Sequence, residues 1–249
     1  VGMPAIIAEA ISTLYSFTLV LDKTILFNAT CIGAASPNEK VDPNKKSFQI
    51  CVNCQITVTT IIGADIGSSI LKNNILPLLP YKRKKLDFDM VIHFRGGDIF
   101  SKNPHHNMVQ APYSYFRRVL EIQEVKRVLL VCEDNKNPIV HMLQNSGSGI
   151  DFIYHSGTIE EDINLILNAK ALALPGNTSF SRILAQTSLN LEKVYLPIPG
   201  NDPGLLKFDI EAVYVSVDDY INLGQWKFDS IQKKMLVEHP LSKTRLYDQ

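Results

Sequence analysis

From residue 90 onward, short apolar runs alternate with longer stretches in which apolar residues recur every three to four positions. Met90-Val-Ile-His93, Val128-Leu-Leu-Val-Cys132, Asp151-Phe-Ile-Tyr154, Ala171-Leu-Ala-Leu174 and Val194-Tyr-Leu-Pro197 have the length and content of buried strands, with the last closing this unit. Between them the spacing predicts helices from Pro112 to about Gln123, from Pro138 through Leu143, from Glu160 to Ala169, and from the 175–179 turn to about Leu189. Pro112 and Pro138 sit where a helix can begin, since a first-turn residue has no amide partner to lose. Glu160, Glu161 and Asp162 suit the positive end of a helix dipole. Strand–loop–helix units of this length imply a parallel α/β sheet flanked by helices, with ligands at the carboxyl ends of the strands.

Before residue 90 the pattern is looser. Ala5, Ala8, Ile11 and Tyr15 follow helical spacing, Thr24–Phe27 and Gln55–Ile61 are β-rich, and 64–79 reads as helix until Pro77 and Pro80 interrupt it. Pro37 to Lys46 is a polar loop. The apolar start is broken by Glu9, Ser12, Thr13 and Ser16 and has no basic leader. No signal peptide, membrane span or membrane contact is therefore expected, which suits a cytoplasmic protein or a soluble domain.

Composition narrows the partners. Twenty-five basic residues balance twenty-five acidic ones, so no global field favours nucleic acid. The basic run Lys82-Arg83-Lys84-Lys85 reads as a solvated linker. Four cysteines in 249 residues make no secreted disulfide framework, and Cys51-Val-Asn-Cys54 lacks the second pair or histidines of a zinc site.

Candidate chemistry gathers where strands end. Val91-Ile-His93-Phe-Arg95-Gly96-Gly97-Asp98 carries an apolar strand into a glycine turn bearing a guanidinium, a good place for a phosphate. Glu133-Asp134 follows the next strand. Asp162 opens an apolar helix that leads through a strand to Asn177-Thr178-Ser179-Phe180-Ser181, where hydroxyls and amides at a helix start suit an anion. Taken alone, Asp98 orients Arg95 or caps the turn, His93 is a core histidine or a ligand contact, and Asp162, Thr178 and Ser179 are helix-start residues or binding groups.

In order and approximate spacing over residues 90 to 190, this set resembles the three motifs of the GDP-fucose-dependent fucosyltransferases, the α1,2, α1,6 and protein O-fucosyl groups. The resemblance implies a compact B-type glycosyltransferase with two Rossmann-like lobes. Residues 86–200 would form the nucleotide-sugar donor lobe, and residues 1–85 the acceptor-side lobe, with 201–249 packing back on it. The activity implied is inverting, metal-independent transfer of L-fucose from GDP-fucose to a hydroxyl of a glycan acceptor, with no cofactor. Another GDP-sugar as donor, or a nucleotide-sugar-binding module with little catalysis, are the alternatives.

Carried onto this chain, the resemblance gives Arg95 the diphosphate, with Asp98 beside it in the catalytic pair. It places His93 by the guanosine and has Asp162 accept from guanine, whose adjacent N–H donors suit a carboxylate. Either Glu133 or Asp134 approaches the ribose. Gly96, Gly97, Asn177, Thr178, Ser179 and Phe180 complete the substrate-binding set, with Thr178 and Ser179 on phosphate. Where many relatives have a second adjacent arginine this chain has Gly96, so Arg95 would carry more of the leaving-group stabilisation, or Lys102 or Arg182 would help. No carboxylate follows at the α1,6 group's base position, so the base is unassigned. Two metal motifs are weighed and set aside. His105-His106 lacks companions, and Asp87-Phe88-Asp89 precedes a strand rather than following one.

Overall fold

The computed structural model describes residues 19–20, 34–35, 72–73, 76–104, 108–198, 208–222 and 224–247. The expected N-terminal helix, both early β-rich runs, most of 64–79, Cys51, Cys54 and the 105–106 histidines lie outside them. Two short strands, β1 (Leu19–Val20) and β2 (Ala34–Ala35), pair in parallel.

The main sheet has seven strands. They are β3 (Met90–Phe94), β4 (Arg127–Cys132), β5 (Asp151–His155), β6 (Ala171–Ala173), β7 (Lys193–Ile198), β8 (Glu211–Val217) and β9 (Thr244–Leu246). They lie in the order β5-β4-β3-β6-β7-β8-β9, parallel except for β9, which runs antiparallel to β8. Numbered from β3 to β8, this is the 3-2-1-4-5-6 order of a doubly wound nucleotide-binding sheet. Five helices accompany it among the described residues: α1 (Tyr113–Gln123), α2 (Pro138–Gln144), α3 (Ile159–Leu167), α4 (Ser179–Thr187) and α5 (Ser230–Glu238).

Period-two alternation decides which helix covers which face. Val91, Leu129, Val131, Leu172 and Val194 pack with Ile163, Ile166 and Leu167 of α3 and Ile183 and Leu184 of α4. Their chain neighbours Met90, Ile92, Val128, Leu130, Ala173 and Tyr195 point the other way, onto Phe116 and Val119 of α1, Ile139 and Leu143 of α2, and Leu236 of α5. Both faces of the sheet are thus covered, which explains the nearly continuous apolar strands. Each buried Val, Leu, Ile or Phe contributes about 1.5–3 kcal/mol relative to exposure.

One expectation is corrected here. Val194–Pro197 does not close the unit, because β8 pairs with β7 from Lys193↔Glu211 to Ile198↔Ser216. The described part of 201–249 touches the first 85 residues where Lys72 Nζ pairs with Asp209 Oδ2 and where Phe208 and Ile210 join the apolar cluster that holds Leu76, Leu79 and Tyr81, and it also extends the main sheet. Val213, Val215 and Val217 alternate as a half-buried strand, so the tail lengthens the donor-side sheet, and α5 packs on α1. A buried relay fixes this tail: Thr244 Oγ1 donates to Ser114 Oγ at 2.9 Å, which lies 3.0 Å from His239 Nδ1, while His239 Nε2 lies 2.9 Å from the Asp218 carbonyl. An imidazole protonated at Nε2 satisfies every member, so this serine–histidine contact is a structural tie.

The basic run at 82–85 is exposed, as a solvated segment should be. Its backbone is nonetheless fixed, because Asn164 and Asn168, one turn apart on α3, act as an amide ladder. Asn164 Oδ1 accepts from Lys82 N, Asn168 Oδ1 from Lys84 N, and Asn168 Nδ2 donates to the Lys82 carbonyl, at 2.7, 2.7 and 2.9 Å. The chain therefore enters β3 along α3.

Candidate functional site at the carboxyl edge of the sheet

β3 and β6 are neighbours, yet the chain leaves β3 for α1 on one face and reaches β6 from α3 on the other. Such a reversal opens a crevice at the carboxyl ends of the two strands, where doubly wound sheets bind ligands. Both sequence motifs end there.

On the β3 side, Arg95 and Gly96 lead into a short 3-10 turn, Gly97–Phe100. Gly97 has φ +52°, and a Cβ there would lie 2.6 Å from Glu133 Oε1; one on Gly96 would lie 2.3 Å from Asp134 Oδ1. The left-handed backbone at Gly97 favours glycine, and a side chain at either position would displace the carboxylates of the acidic pair that follows β4. Asp134 Oδ2 accepts from Gly97 N at 2.9 Å, and the same carboxylate is bound by Lys136 N at 3.0 Å and Lys136 Nζ at 3.1 Å. Burial opposes its charge, but the Lys136 and Gly97 amides and the Lys136 ammonium outweigh it and hold the carboxyl below the usual range. Asp134 therefore braces the turn from inside. Asn137, fully buried, caps α2 through Ile139 N and donates to the Arg95 carbonyl at 3.3 Å.

The Arg95 guanidinium donates to Asp98 Oδ1 at 2.6 Å and reaches Met108 Sδ at 3.8 Å. Asp98 is largely solvent-exposed while Arg95 is three-quarters covered, so the carboxylate steers the cation from its outer side. The Arg95 guanidinium makes no other hydrogen bond among the described residues. Its remaining N–H donors can meet an anion.

On the β6 side, Gly176 has φ +146° and forms a bridge with Gln110; a Cβ would lie 1.9 Å from the Val109 carbonyl, so only glycine fits. Ala111 N donates to the Pro175 carbonyl at 2.6 Å and Asn177 N to that of Val109 at 3.3 Å, stitching the loop after β3 to the turn after β6. Gln110 Nε2 adds a bond to the Pro175 carbonyl at 3.0 Å. Thr178 is the N-cap of α4, and its hydroxyl is buried without a hydrogen-bond partner among the described residues. Ser179 is the first residue of that helix.

His93 faces α4, where the alternation puts it, and its Nδ1 lies 3.1 Å from Ser181 Oγ, with the Phe180 ring centroid at 5.5 Å. Burial and then the Arg95 charge push its imidazole down to about 3, so it is neutral at ordinary pH. Arg182 is buried, its Nε and Nη2 donating to the Thr178 carbonyl at 3.3 Å and Asn177 Oδ1 at 3.0 Å. It forms no ion pair among the described residues, and burial lowers its affinity for its proton. Lys102, the other candidate second cation, lies in an exposed loop.

Farther along the same edge, Asp162 lies in the first turn of α3, whose start is fixed by a capping box. Glu161 Oε2 accepts from Thr158 N, and Thr158 Oγ1 accepts from Glu161 N. Burial, with help from Glu161 and Glu133 and against the pull of His155, raises the Asp162 carboxyl to about 6. Burial, then Asp162 and Asp134, likewise push up the Cys132 thiol, which leaves it unreactive.

No protein-family model, curated protein or solved structure matches this chain. The reading of the site therefore rests on its residues.

The carboxyl edge gathers His93, Arg95, Gly96, Gly97, Asp98, Glu133, Asp134, Asp162, Asn177, Thr178, Ser179 and Phe180. Asp87 and Asp89 lie at the opposite edge. Asp89 Oδ2 accepts from Lys126 N and Arg127 N, each at 2.8 Å, and Asp87 pairs with the Arg127 side chain. The sequence reading missed Asn137, Gln110 and His155. Asn137 alone had a local signal, an Asn directly before a Pro at a helix start.

Proposed function

We propose that this chain binds a nucleoside diphosphate sugar across the β3–β6 crevice and transfers the sugar, with GDP-fucose as donor. The observation that carries the reading is Arg182. A guanidinium buried at a helix N-terminus, where the dipole is already positive, and without a carboxylate partner among the described residues, is in an unfavourable electrostatic place that an anion would relieve. Arg95 at the facing strand end and the unpartnered Thr178 hydroxyl suit the same anion. A diphosphate fits this combination.

In this reading the diphosphate lies between the Arg95 turn and the start of α4. The nucleoside extends along the sheet edge over β4 toward β5, two strand spacings or about 10 Å away, to Asp162. An acceptor hydroxyl attacks C1 of the sugar, the C1–O bond to the diphosphate breaks, and Arg95 and Arg182 stabilise the charge gathering on departing GDP. The acceptor proton passes late to a diphosphate oxygen, since Asp98 is engaged by Arg95 and Asp134 by the Gly97 turn. Those same two engagements favour the second reading, a nucleotide-sugar-binding module with little catalysis.

Arginines hold the leaving group here, and the Asp-x-Asp pair belongs to the amino edge, so turnover of GDP-fucose is expected to be little changed by excess EDTA. Release of GDP, measured with and without glycan acceptors, separates the readings. Metal-dependent turnover abolished by Asp87→Ala or Asp89→Ala would point to another glycosyltransferase class, and nucleotide binding without any GDP release would leave the binding module.

A further inference from the structure

Beyond the residues assigned so far, one contact at the far end of the edge is unexplained. His155 closes β5, Asp162 lies in the first turn of α3, and residues 156–158 fold them together so that His155 Nε2 is 3.3 Å from Asp162 Oδ1. Gly157 makes this approach possible. A Cβ there would lie 2.7 Å from His155 Nε2 and 2.2 Å from Glu161 Oε2. Both contacting atoms are buried, and neither makes a well-aligned hydrogen bond to any described residue. The pair is at ion-pair distance with bonding capacity left over, which is unusual for buried polar atoms in a purely structural contact.

We infer that His155 is a positioning residue at the base-reading end of the nucleotide site: its ring fixes the Asp162 carboxylate and keeps it in the acceptor form that a base with paired N–H donors requires. The inference rests on the GDP reading above. The charges facing Asp162 explain the need. Glu161 from its own helix and Glu133 from the end of β4 both repel a carboxylate, the Cys132 thiol beside it carries no compensating charge, and burial adds to the penalty. Only His155, from β5, acts in the opposite direction. Without it the carboxyl would hold its proton to higher pH and present a donor where guanine also presents donors.

The consequence is a signed pH dependence. Donor affinity should rise as pH climbs through about 6, where Asp162 loses its proton, and level off above. His155→Gln should move the levelling point up, since it removes the contact that favours the Asp162 carboxylate. Glu161→Gln should move it down, and it still closes the Thr158 capping box. The terminal phosphate of GDP itself titrates near ~6. GDP-fucose, in which that phosphate is esterified, is therefore the probe, and calorimetry of the full chain from pH 5 to 8 is the measurement.

Opposite shifts in the two variants, with weak and nearly pH-independent binding by Asp162→Asn, support the inference. A His155→Gln profile superimposed on the wild type, while Asp162→Asn binds weakly, overturns it and leaves the base reading standing. Unchanged affinity in Asp162→Asn overturns both. Should His155→Gln fail to fold, His155→Asn, which also removes the imidazole, is read by the same criterion: an upward shift supports the inference and a superimposed profile overturns it.

Discussion

Arg95→Ala is expected to lower fucosyl transfer at least about a hundredfold, the usual scale for removing one preorganised donor of transition-state charge and equivalent to about 2.7 kcal/mol. Among the described residues the side chain bonds only to Asp98 and Met108, so the fold should survive the change. Arg95→Lys separates charge from shape. It keeps the cation but loses the planar fork, and it should recover only part of the rate. The loss should fall on kcat more than on KM, because charge accumulates on the diphosphate as the C1–O bond breaks. Steady-state kinetics with GDP-fucose would show this, and near-normal turnover by the alanine variant would remove Arg95 from the mechanism.

Arg182→Met should separate stability from binding. A buried guanidinium without a carboxylate partner among the described residues carries a desolvation cost, and a thioether of similar length removes it. Thermal unfolding in the absence of ligand is therefore expected to shift upward by about 1 kcal/mol or more, although the bonds to the Thr178 carbonyl and Asn177 are lost. Affinity for GDP should fall about ten- to a hundredfold, as one or two charge-assisted bonds to phosphate disappear. A cation that served only to tie down the α4 start would give the reverse, a less stable protein with unchanged GDP affinity.

Strands β3, β4, β6 and β7 were legible because they are buried on both faces, which makes them short apolar runs, and helices begin at marked residues such as Pro138; β5, half exposed at the sheet edge, showed through Phe152, Ile153 and Tyr154. β8 announced itself more faintly. Of its seven residues only Tyr214, Val215 and Val217 are buried, and the run begins at a charged residue, Glu211. β9 is three residues with two exposed, so no pattern marks it; antiparallel pairing with β8 alone makes it a strand.

At the site, Arg95 and the two glycines could be read from the strand-to-turn transition. What they meet could not. Asp134 bracing Gly97, Ser181 bonding His93, Gln110 bridging Gly176 and His155 touching Asp162 are contacts between residues 7 to 88 positions apart, made only when β3 settles between β4 and β6 and α3 folds back on β5. Residue type suggested what each could do, and only the strand order brought them together.

The most direct test of a donor site at the β3–β6 crevice is amide hydrogen exchange of the full chain with and without GDP, with ADP as the control nucleotide. GDP should slow exchange in two segments distant in sequence, residues 95–98 after β3 and 176–181 at the start of α4, and in the first turn of α3 around Asp162. ADP should protect the first two segments weakly and the third not at all. Absence of GDP-dependent protection at 95–98 and 176–181, or protection confined to another part of the sheet, would contradict a nucleotide diphosphate site at the place where β3 and β6 part.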